Sequence, residues 1–260
     1  MPTPLDLFLD PVMLAILGMY LLLMFWEALF PARKLPLISF WKIKGIAAFV
    51  LYVLVSTYLP YLYASVLPNG QMFDLSHLPV YTSSSAAILL YELGVYLWHR
   101  TLHRNNLLWK VMHQMHHSAE RLDTFGAFFF SPMDMIGFTL LGTVCFSVIL
   151  GLQPAAVTIM LLTTNFLAIF QHANIKTPRW LGYLVQRPES HAVHHGKGVH
   201  AFNYSDLPLF DLLFGTFKNP KEFVAETGFY HGASERITDM LLFKDVSEPE
   251  NEWVPIKGEA

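Results

Sequence analysis

The sequence has few charged residues and a single cysteine. Asp, Glu, Lys and Arg make up 14% of its 260 residues, against about 25% in ordinary soluble domains, while 53% are hydrophobic. So little charge excludes an ordinary soluble surface and indicates that much of the chain faces lipid. The net charge of -3 and the lack of a long basic run exclude a nucleic-acid-binding protein. Cys145 alone can form neither an internal disulfide nor a thiolate cluster, so any metal must be held by other ligands.

The hydrophobic residues fall into five long blocks, each close to the length of about 20 residues that a membrane-spanning helix needs. The blocks are residues 11–30, 45–67, 80–98, 126–152 and 155–170. The first block follows Asp6 and Asp10 rather than a basic start, and no small-residue cleavage site follows it, so we expect a retained span and not a signal peptide. The pattern predicts an all-α integral membrane protein with four to five transmembrane helices and a histidine-rich cytosolic helical cap.

The basic residues in the loops predict how the spans are oriented, because positive charge favours the cytoplasmic side. The loop after the first span carries Arg33, Lys34, Lys42 and Lys44, whereas residues 68–79 after the second carry no Lys or Arg. The first loop is therefore predicted to be cytoplasmic, and alternation of the spans then places the clustered histidines on that side too. Compact length and the lack of an ER-type retrieval signal slightly favour a bacterial inner membrane over the endoplasmic reticulum.

Nine of the twelve histidines fall into four groups. These are His99-x-x-x-His103, His113-x-x-His116-His117, His172, and His191-x-x-His194-His195. Residues three or four apart share a helix face, so the imidazoles of one group can converge on one point. Nine imidazoles exceed the roughly four to six ligands of one ion, and two similar H-x-x-H-H groups suggest two metal ions in one cavity. A nitrogen-rich site without thiolates suits Fe, Zn, Cu or Ni. Structural zinc sites are normally closed and rich in cysteine, so the sequence favours a catalytic metal pair.

In order along the chain, the motifs are H-R-x-L-H, L-W-K-x-x-H-x-x-H-H-S, H-A-N, E-S-H-x-x-H-H and N-Y. This series resembles the fatty acid hydroxylase and sterol desaturase superfamily over roughly residues 80–217, and His117-Ser118-Ala119-Glu120 also resembles its alkylglycerol monooxygenase branch. The resemblance implies N-terminal transmembrane helices in residues 1–79, a di-iron catalytic domain in 80–217 and a C-terminal cytosolic tail in 218–260. It also implies two non-haem iron ions, O₂ as co-substrate, and these ligands: His99, His103, His113, His116, His117, His172, His191, His194 and His195.

The resemblance carries further expectations about partners and neighbouring residues. No cytochrome-b5-like domain is recognisable in the sequence, so electrons are expected from a separate cytochrome b5- or ferredoxin-like carrier with its reductase. Some members of the superfamily have a further histidine where this chain has Lys176, so one iron is expected to be more open. Candidates to support the ligands, each equally readable as an ordinary cap or surface group, are Glu92, Asp123, Glu189, His200, Asn203 and Asp206.

The expected activity is therefore the O₂-dependent hydroxylation or desaturation of a C–H position in a lipid, whether an acyl chain, a sterol or an ether lipid. Two alternatives are a zinc metallohydrolase and a membrane metal-binding or transport protein. A hydrolase needs a carboxylate base fixed beside the metal, and no H-E-x-x-H motif is present. Transporters usually place polar residues along several spans near the midplane, whereas the spans here are nearly free of histidine.

Overall fold

The structure is a computed structural model that describes residues 1–68 and 70–249. It is mostly helical, with 61% of residues in helices, which confirms the all-α prediction. The helices are α1 (Pro4–Phe8), α2 (Pro11–Leu29), α3 (Trp41–Tyr63), α4 (Val80–Arg104), α5 (Asn106–Leu108), α6 (Gln114–His117), α7 (Pro132–Thr143), α8 (Pro154–Phe170), α9 (Pro188–His194), α10 (Pro208–Leu213) and α11 (Ile237–Leu241). Two short strands, β1 (Phe73–Asp74) and β2 (Leu150–Gly151), pair in parallel.

Three helical segments of the described residues are long and apolar enough to cross a membrane. They are Pro11–Leu29, Trp41–Val66 and Pro132–Ile149, the last of which continues α7 through a π-helical stretch. The other two predicted spans differ from these: α8 is apolar but has 17 residues, and α4 buries the polar side chains of Ser83, Ser84 and Glu92. Spans at α4 and α8 therefore stay predictions.

Two of the three membrane-length helices, α2 and α7, begin at capping residues that the sequence supplies, whereas α3 begins after Phe40 without a side-chain cap. Asp10 accepts hydrogen bonds from the first turn of α2, with Pro11 as the first helical residue. Ser131 caps α7 in the same way, followed by Pro132. The expected start of the fourth span at Gly126 is therefore wrong, because residues 124–126 form a 3-10 turn and the helix starts only after its Ser-Pro cap.

The loops that connect the long helices lie at two ends of the bundle. At one end, β1 and β2 join the segment after α3 to the turn between α7 and α8, and Gln153 Nε2 donates to the Leu78 carbonyl at 2.8 Å. At the other end, Arg33 Nη1 donates to the Val224 carbonyl at 2.7 Å, which ties the loop after α2 to the segments around the histidines. This arrangement agrees with the predicted alternation of loops, while the assignment of the histidine end to the cytoplasm stays a prediction.

Aromatic side chains hold the bundle together beneath the histidines. α2 and α3 meet where Tyr20 stacks on Phe49 at 4.8 Å between ring centroids, and Phe128 packs on Phe49 at 5.1 Å. In addition, α3 packs on α7, and α8 packs on both α2 and α4. These contacts bring α4, α7 and α8 around one space that opens at the histidine end.

The segment after residue 217 packs on the histidine-bearing region. Met240 and Val246 are buried, and Gln114 binds this segment twice, through its Nε2 to the Lys244 carbonyl at 2.7 Å and through its Oε1 to the Val246 amide at 3.0 Å. Residues 218–249 thus cover one side of the histidines. The remainder of the predicted tail, residues 250–260, lies outside the described residues.

Candidate metal centre

Local structure brings the first two histidine groups face to face. His99 and His103 lie one turn apart near the end of α4, and Asn105 ends that helix while its Oδ1 accepts from Leu107 N and Leu108 N. The chain therefore reverses at once into α5. A π-helical turn (Trp109–His113) follows and delivers His113 next to His99. Such turns are rare and occur frequently at functional sites.

The nine histidines come together in two adjacent clusters, in each of which one ligand nitrogen per residue lies within 4.8 Å of the others. The five-histidine cluster consists of His99, His103, His113, His117 and His194. The four-histidine cluster consists of His116, His172, His191 and His195. The rings of His117 and His195 stack across the boundary at 4.2 Å between centroids. The structure thus brings together every histidine predicted to be a ligand.

Each H-x-x-H-H motif supplies both clusters, which differs from the expectation that one group converges on one point. His113 and His117 belong to the five-histidine cluster, and His116 between them belongs to the other. In the second motif the roles are exchanged, because His194 alone joins the five-histidine cluster. Neighbouring residues differ by about 100° around a helix, so adjacent histidines point to different sides. The doubled histidine of each motif therefore bridges the two clusters.

The hydrogen bonds of His99 and His113 leave one nitrogen of each ring free to bind a cation. Nδ1 of His99 lies 2.7 Å from the Tyr204 carbonyl, and Nδ1 of His113 lies 2.7 Å from Asp134 Oδ2. Since these oxygens accept, each Nδ1 carries the ring proton and each Nε2 keeps a lone pair. The two Nε2 atoms nevertheless lie 2.9 Å apart. Two lone pairs at that distance repel unless a cation binds both.

The spacing of the nitrogens fits a metal ion. An imidazole nitrogen lies about 2.1 Å from a bound ion such as zinc, so two ligands at right angles are about 3.0 Å apart. In the four-histidine cluster, His172 Nε2 lies 3.1 Å from His116 Nε2 and 3.0 Å from His191 Nε2. In the five-histidine cluster, Nε2 of His103 and of His194 are buried and have no hydrogen-bond partner among the described residues. Both clusters therefore fit one transition-metal ion each.

Burial keeps these imidazoles neutral. It lowers the pKa of His116, His191 and His195 well below the usual value, and neighbouring histidines lower each further. The same burial lowers the pKa of His172 to about 4. Because a metal ligand must be a neutral ring with a free lone pair, the site is prepared for a metal at neutral pH.

Hydrogen-bond acceptors behind the clusters fix which ring nitrogen faces the other histidines. The carbonyls of Ala168 and Phe202 accept from Nδ1 of His172 at 2.6 Å and from Nδ1 of His194 at 2.7 Å. Asp134 does the same for His113 and is fully buried. Sequence reasoning did not single out Asp134. The signal it offered was an acidic side chain in the first turn of an apolar span, just after the Ser-Pro cap.

Two of the predicted supporting residues lie beside the clusters. His200 Nδ1 is 3.1 Å from His117 Nδ1, although His200 belongs to neither cluster. Asp206 Oδ1 accepts from Gln171 Nε2 at 2.7 Å, next to His172 in the chain. Burial raises the pKa of Asp206 to about 7.

In the described part of the chain, the other four predicted supporting residues bind groups other than the clustered histidines. Glu92 Oε2 accepts from the amides of Asp206 and Leu207 at 2.9 and 3.1 Å. Glu189 pairs with buried Arg187 at 2.9 Å. Asp123 accepts a hydrogen bond from Trp41 Nε1 at 2.8 Å, and Asn203 Nδ2 donates one to the Ser190 carbonyl at 2.8 Å.

Lys176 lies away from the clusters, at the position where some members of the superfamily have a further histidine. Its Nζ pairs with exposed Glu222 at 3.0 Å. The four-histidine cluster therefore has one imidazole fewer than its neighbour.

A cavity of about 70 Å³ adjoins the clusters. His116, His172 and His191 line it on one side, and Phe130 and Phe138 line it on another. The ring of Phe130 packs on His116 at 4.4 Å between centroids. The cavity also borders His99 and His113 of the five-histidine cluster, and beyond the histidines its lining includes five Phe and Tyr rings as well as Gln171 and Asp206.

Apolar helices of membrane length, with two buried histidine clusters at one end, define a histidine-rich protein of the membrane-enzyme type. A model of the fatty acid hydroxylase family matches residues 84–216, and the chain belongs to this family. It is 28% identical over 137 residues to the ornithine lipid hydroxylase of Rhizobium tropici, over 51% of this chain and 41% of that one. It is 31% identical over 136 residues to the alkylglycerol monooxygenase of Danio rerio, and the match covers 50% of this chain and 29% of that one. The match thus covers less than half of either relative. No solved structure matches.

Proposed function

We propose that this protein is a membrane-bound lipid hydroxylase that uses O₂ and two iron ions, with residues 80–217 as its catalytic domain. The observation that carries the proposal is the pair of histidine clusters with lone pairs facing one another beside an aromatic cavity. Such a neutral, nitrogen-only site suits a redox-active ion with positions left open for reactants. The nine clustered histidines are the proposed ligands.

The names of the two relatives support hydroxylation over desaturation. One is called a lipid hydroxylase and the other a monooxygenase, and both names specify a lipid or an alkylglycerol as the substrate. We extend to this chain the general class only, a membrane lipid with an unactivated C–H bond. The family membership and the apolar helices agree with a substrate that never leaves the bilayer.

In the proposed reaction, a lipid C–H bond, O₂, two electrons and two protons give a lipid C–OH group and water. Iron, when bound, supplies the activation of O₂. Electrons come from a separate cytochrome b5- or ferredoxin-like carrier with its reductase.

The side chains of this protein contribute binding, orientation and exclusion of water. Asp134 and the carbonyls of Tyr204 and Ala168 hold the rings of three ligands with Nε2 toward the clusters. Both clusters border the cavity, through His99 and His113 and through His116, His172 and His191. The four-histidine cluster offers one imidazole fewer, so its ion is the one we place next to the substrate. Phe130 and Phe138 keep that space apolar.

The test is the metal content of the full chain purified in mild detergent after expression with iron. We expect about two irons per chain, since each cluster fits one ion, and an optical change when the reduced protein meets O₂. His116→Ala and His194→Ala remove one ligand from each cluster, so each variant should lose iron and turnover while its membrane insertion stays intact. His231→Ala is the matched control, because His231 is exposed and belongs to neither cluster.

Two results would contradict the proposal. Full iron content and full turnover in both ligand variants would remove the histidines from the centre. Zinc retained through reconstitution, with no oxygen-dependent signal, would replace the oxygenase by a hydrolase or a metal-binding protein.

A further inference from the structure

A second, larger cavity of about 270 Å³ adjoins the one beside the histidines. Six residues line both: Tyr52, Tyr91, Phe128, Phe138, Ala168 and Asp206. From this shared wall the larger cavity runs away from the clusters between α3, α7 and α8. The two spaces therefore follow one another along a path that ends at the histidines.

The outer part of this path lies among helices that face lipid. Pro60 of α3, Gly142 of α7 and Leu161 of α8 line it there. Gly142 and Pro60 are half-buried and Leu161 is 38% exposed, so the path approaches the outer surface of the bundle. Two of the three helices, α3 and α7, belong to segments apolar enough to cross a membrane. An opening in this position faces the bilayer and not water.

The walls of the larger cavity behave as apolar although several side chains carry hydroxyl or amide groups. Thr139, Thr143 and Thr164 each donate a hydrogen bond to a carbonyl four residues earlier in their own helix, at 2.7 to 3.0 Å. Asn165 Nδ2 donates to the Leu161 carbonyl at 2.9 Å. Since these donors are satisfied within their helices, they add little polarity to a lining that includes Phe128, Phe138 and Phe146, while Asp206 lies where the two cavities meet. Such a lining suits an aliphatic chain better than a polar headgroup.

We propose that this larger cavity is the channel through which the aliphatic chain of a membrane lipid reaches the histidine clusters, entering sideways from the bilayer between α3, α7 and α8 past Gly142. The proposal rests on the proposed function, which gives the chain a reason to reach the clusters. It goes further by naming the route, the part of the lipid that occupies it, and the residue that determines its width.

Gly142 allows the channel to be narrowed without disturbing the helices around it. A Cβ built at Gly142 meets Phe146 Cε2 at 3.9 Å as its nearest side-chain atom, which is ordinary van der Waals contact. Phe146 itself lines the channel, so a side chain at position 142 shares that face. By contrast, a Cβ at Gly137 or Gly94 meets neighbours at 2.6 and 2.8 Å. The Cβ of a larger residue therefore has room at position 142, and we expect Gly142→Leu to narrow the opening.

The experiment uses the full chain in lipid nanodiscs that contain a phospholipid whose palmitoyl chain carries a mid-chain diazirine. After irradiation, adducts are mapped by mass spectrometry on channel residues such as Thr139 and Thr164, and on Leu21 and Leu22, which are each 62% exposed on α2. We expect channel adducts in the wild type and about a tenfold drop in their ratio to α2 adducts in Gly142→Leu, which corresponds to roughly 1.4 kcal/mol of lost binding.

Gly18→Leu is the matched control. Gly18 is exposed on α2, and a Cβ there has no described atom within 4 Å outside its own helix. This variant adds the same side chain to a membrane helix away from the channel, so it should label as the wild type does. Equal channel labelling in Gly142→Leu and Gly18→Leu, or labelling restricted to α2 in every variant, would overturn the proposal.

The labelling requires neither iron nor O₂, so its failure is distinct from failure of the proposed function. Channel adducts that depend on position 142 in a protein without iron would uphold the channel and reject the oxygenase. Two irons with oxygen-dependent turnover, but channel labelling that ignores position 142, would uphold the oxygenase and reject this route. Iron content of Gly142→Leu should equal that of the wild type, since no ligand lies near the substitution.

Discussion

The carboxylate of Asp134 determines which ring nitrogen of His113 faces the five-histidine cluster. Asp134 Oδ2 accepts from His113 Nδ1 at 2.7 Å, and its Oδ1 is buried without a partner among the described residues. An asparagine here must either turn its amide nitrogen toward His113, which forces the ring proton onto Nε2, or bury that nitrogen without an acceptor. Both arrangements disfavour a metal at Nε2. Asp134→Asn should therefore weaken iron binding about 10- to 100-fold, as measured by competition with a chelator.

Asp123→Asn is the control for this change. Asp123 is also fully buried, but it binds Trp41 Nε1 and the Gly126 amide and no histidine. Its variant should lower the thermal stability of the protein while leaving iron affinity close to that of the wild type. If Asp123→Asn lowers affinity as much as Asp134→Asn, the loss reflects general unfolding of the histidine end, and Asp134 has no specific role in orienting His113.

At the scale of single elements, α9 and its C-cap residue carry three of the proposed ligands, and this helix depends on a buried ion pair. Arg187 and Glu189 are both fully buried at its start, 2.9 Å apart, and Glu189 also accepts from Thr177 N and Thr177 Oγ1. Glu189→Gln keeps the shape but leaves the guanidinium without its countercharge. Loss of one partner of a buried pair costs about 3–5 kcal/mol, so we expect a marked fall in the unfolding temperature of the metal-free protein in detergent, followed by circular dichroism.

The exposed pair between Lys176 and Glu222 provides the comparison. These side chains are 65% and 72% exposed, at a similar separation of 3.0 Å. Glu222→Gln should change stability by about 0–1 kcal/mol, because solvent screens an exposed pair. Equal stability of the two variants would show that α9 does not depend on the Arg187–Glu189 pair.

The helices also show how much of the fold could be predicted from the sequence. Apolar length predicted α2 within one residue of its observed end, whereas the start of α7 was missed because residues 127–130, before the Ser-Pro cap, are as apolar as a helix. Helical spacing indicated which histidines are neighbours on a helix. It could not show that each motif divides between two clusters, since that depends on how α6 and α9 face each other.

The residues behind the ligands were least predictable, for the same physical reason. His113 and Asp134 are 21 positions apart, and the carbonyl that binds His99 belongs to Tyr204. Such contacts arise from the packing of distant segments, and a carbonyl acceptor leaves no trace in the identity of its residue. The adjoining cavities are likewise a property of helix packing alone.

At the scale of the whole molecule, burying so many imidazoles makes the metal-free fold sensitive to acid. Burial lowers the pKa of six clustered histidines outside α4: His116, His117, His172, His191, His194 and His195. In the unfolded chain each has a pKa of about 6.5. Below that pH these histidines are protonated in the unfolded chain but stay neutral in the folded protein. The free energy of unfolding therefore falls by up to about 1.4 kcal/mol per pH unit for each histidine.

Asp206 has the opposite effect on how the free energy of unfolding depends on pH, and its effect is smaller. Burial raises its pKa to about 7, above the value of about 3.9 in the unfolded chain. The folded state therefore binds a proton on Asp206 that the unfolded state releases, and this contribution to stability is lost as the pH rises through about 7. Burial also raises the pKa of Asp211, but these carboxyl groups outside the long helices are fewer than the six histidines. Below pH about 6.5 the net stability therefore falls as the pH falls.

Metal binding should move this acid transition, because a metal ion competes with protons for the same nitrogens. We expect the unfolding temperature of the metal-free protein in detergent to drop steeply between about pH 7 and pH 5, and that of the iron-loaded protein to start dropping at lower pH. Removing a buried titrating group makes the dependence shallower, so metal-free His116→Ala should lose less stability over this interval than the wild type. An unfolding temperature that stays constant across the interval in the metal-free protein would mean that these imidazoles are already protonated or exposed, and would remove the neutral, preformed clusters on which the metal centre depends.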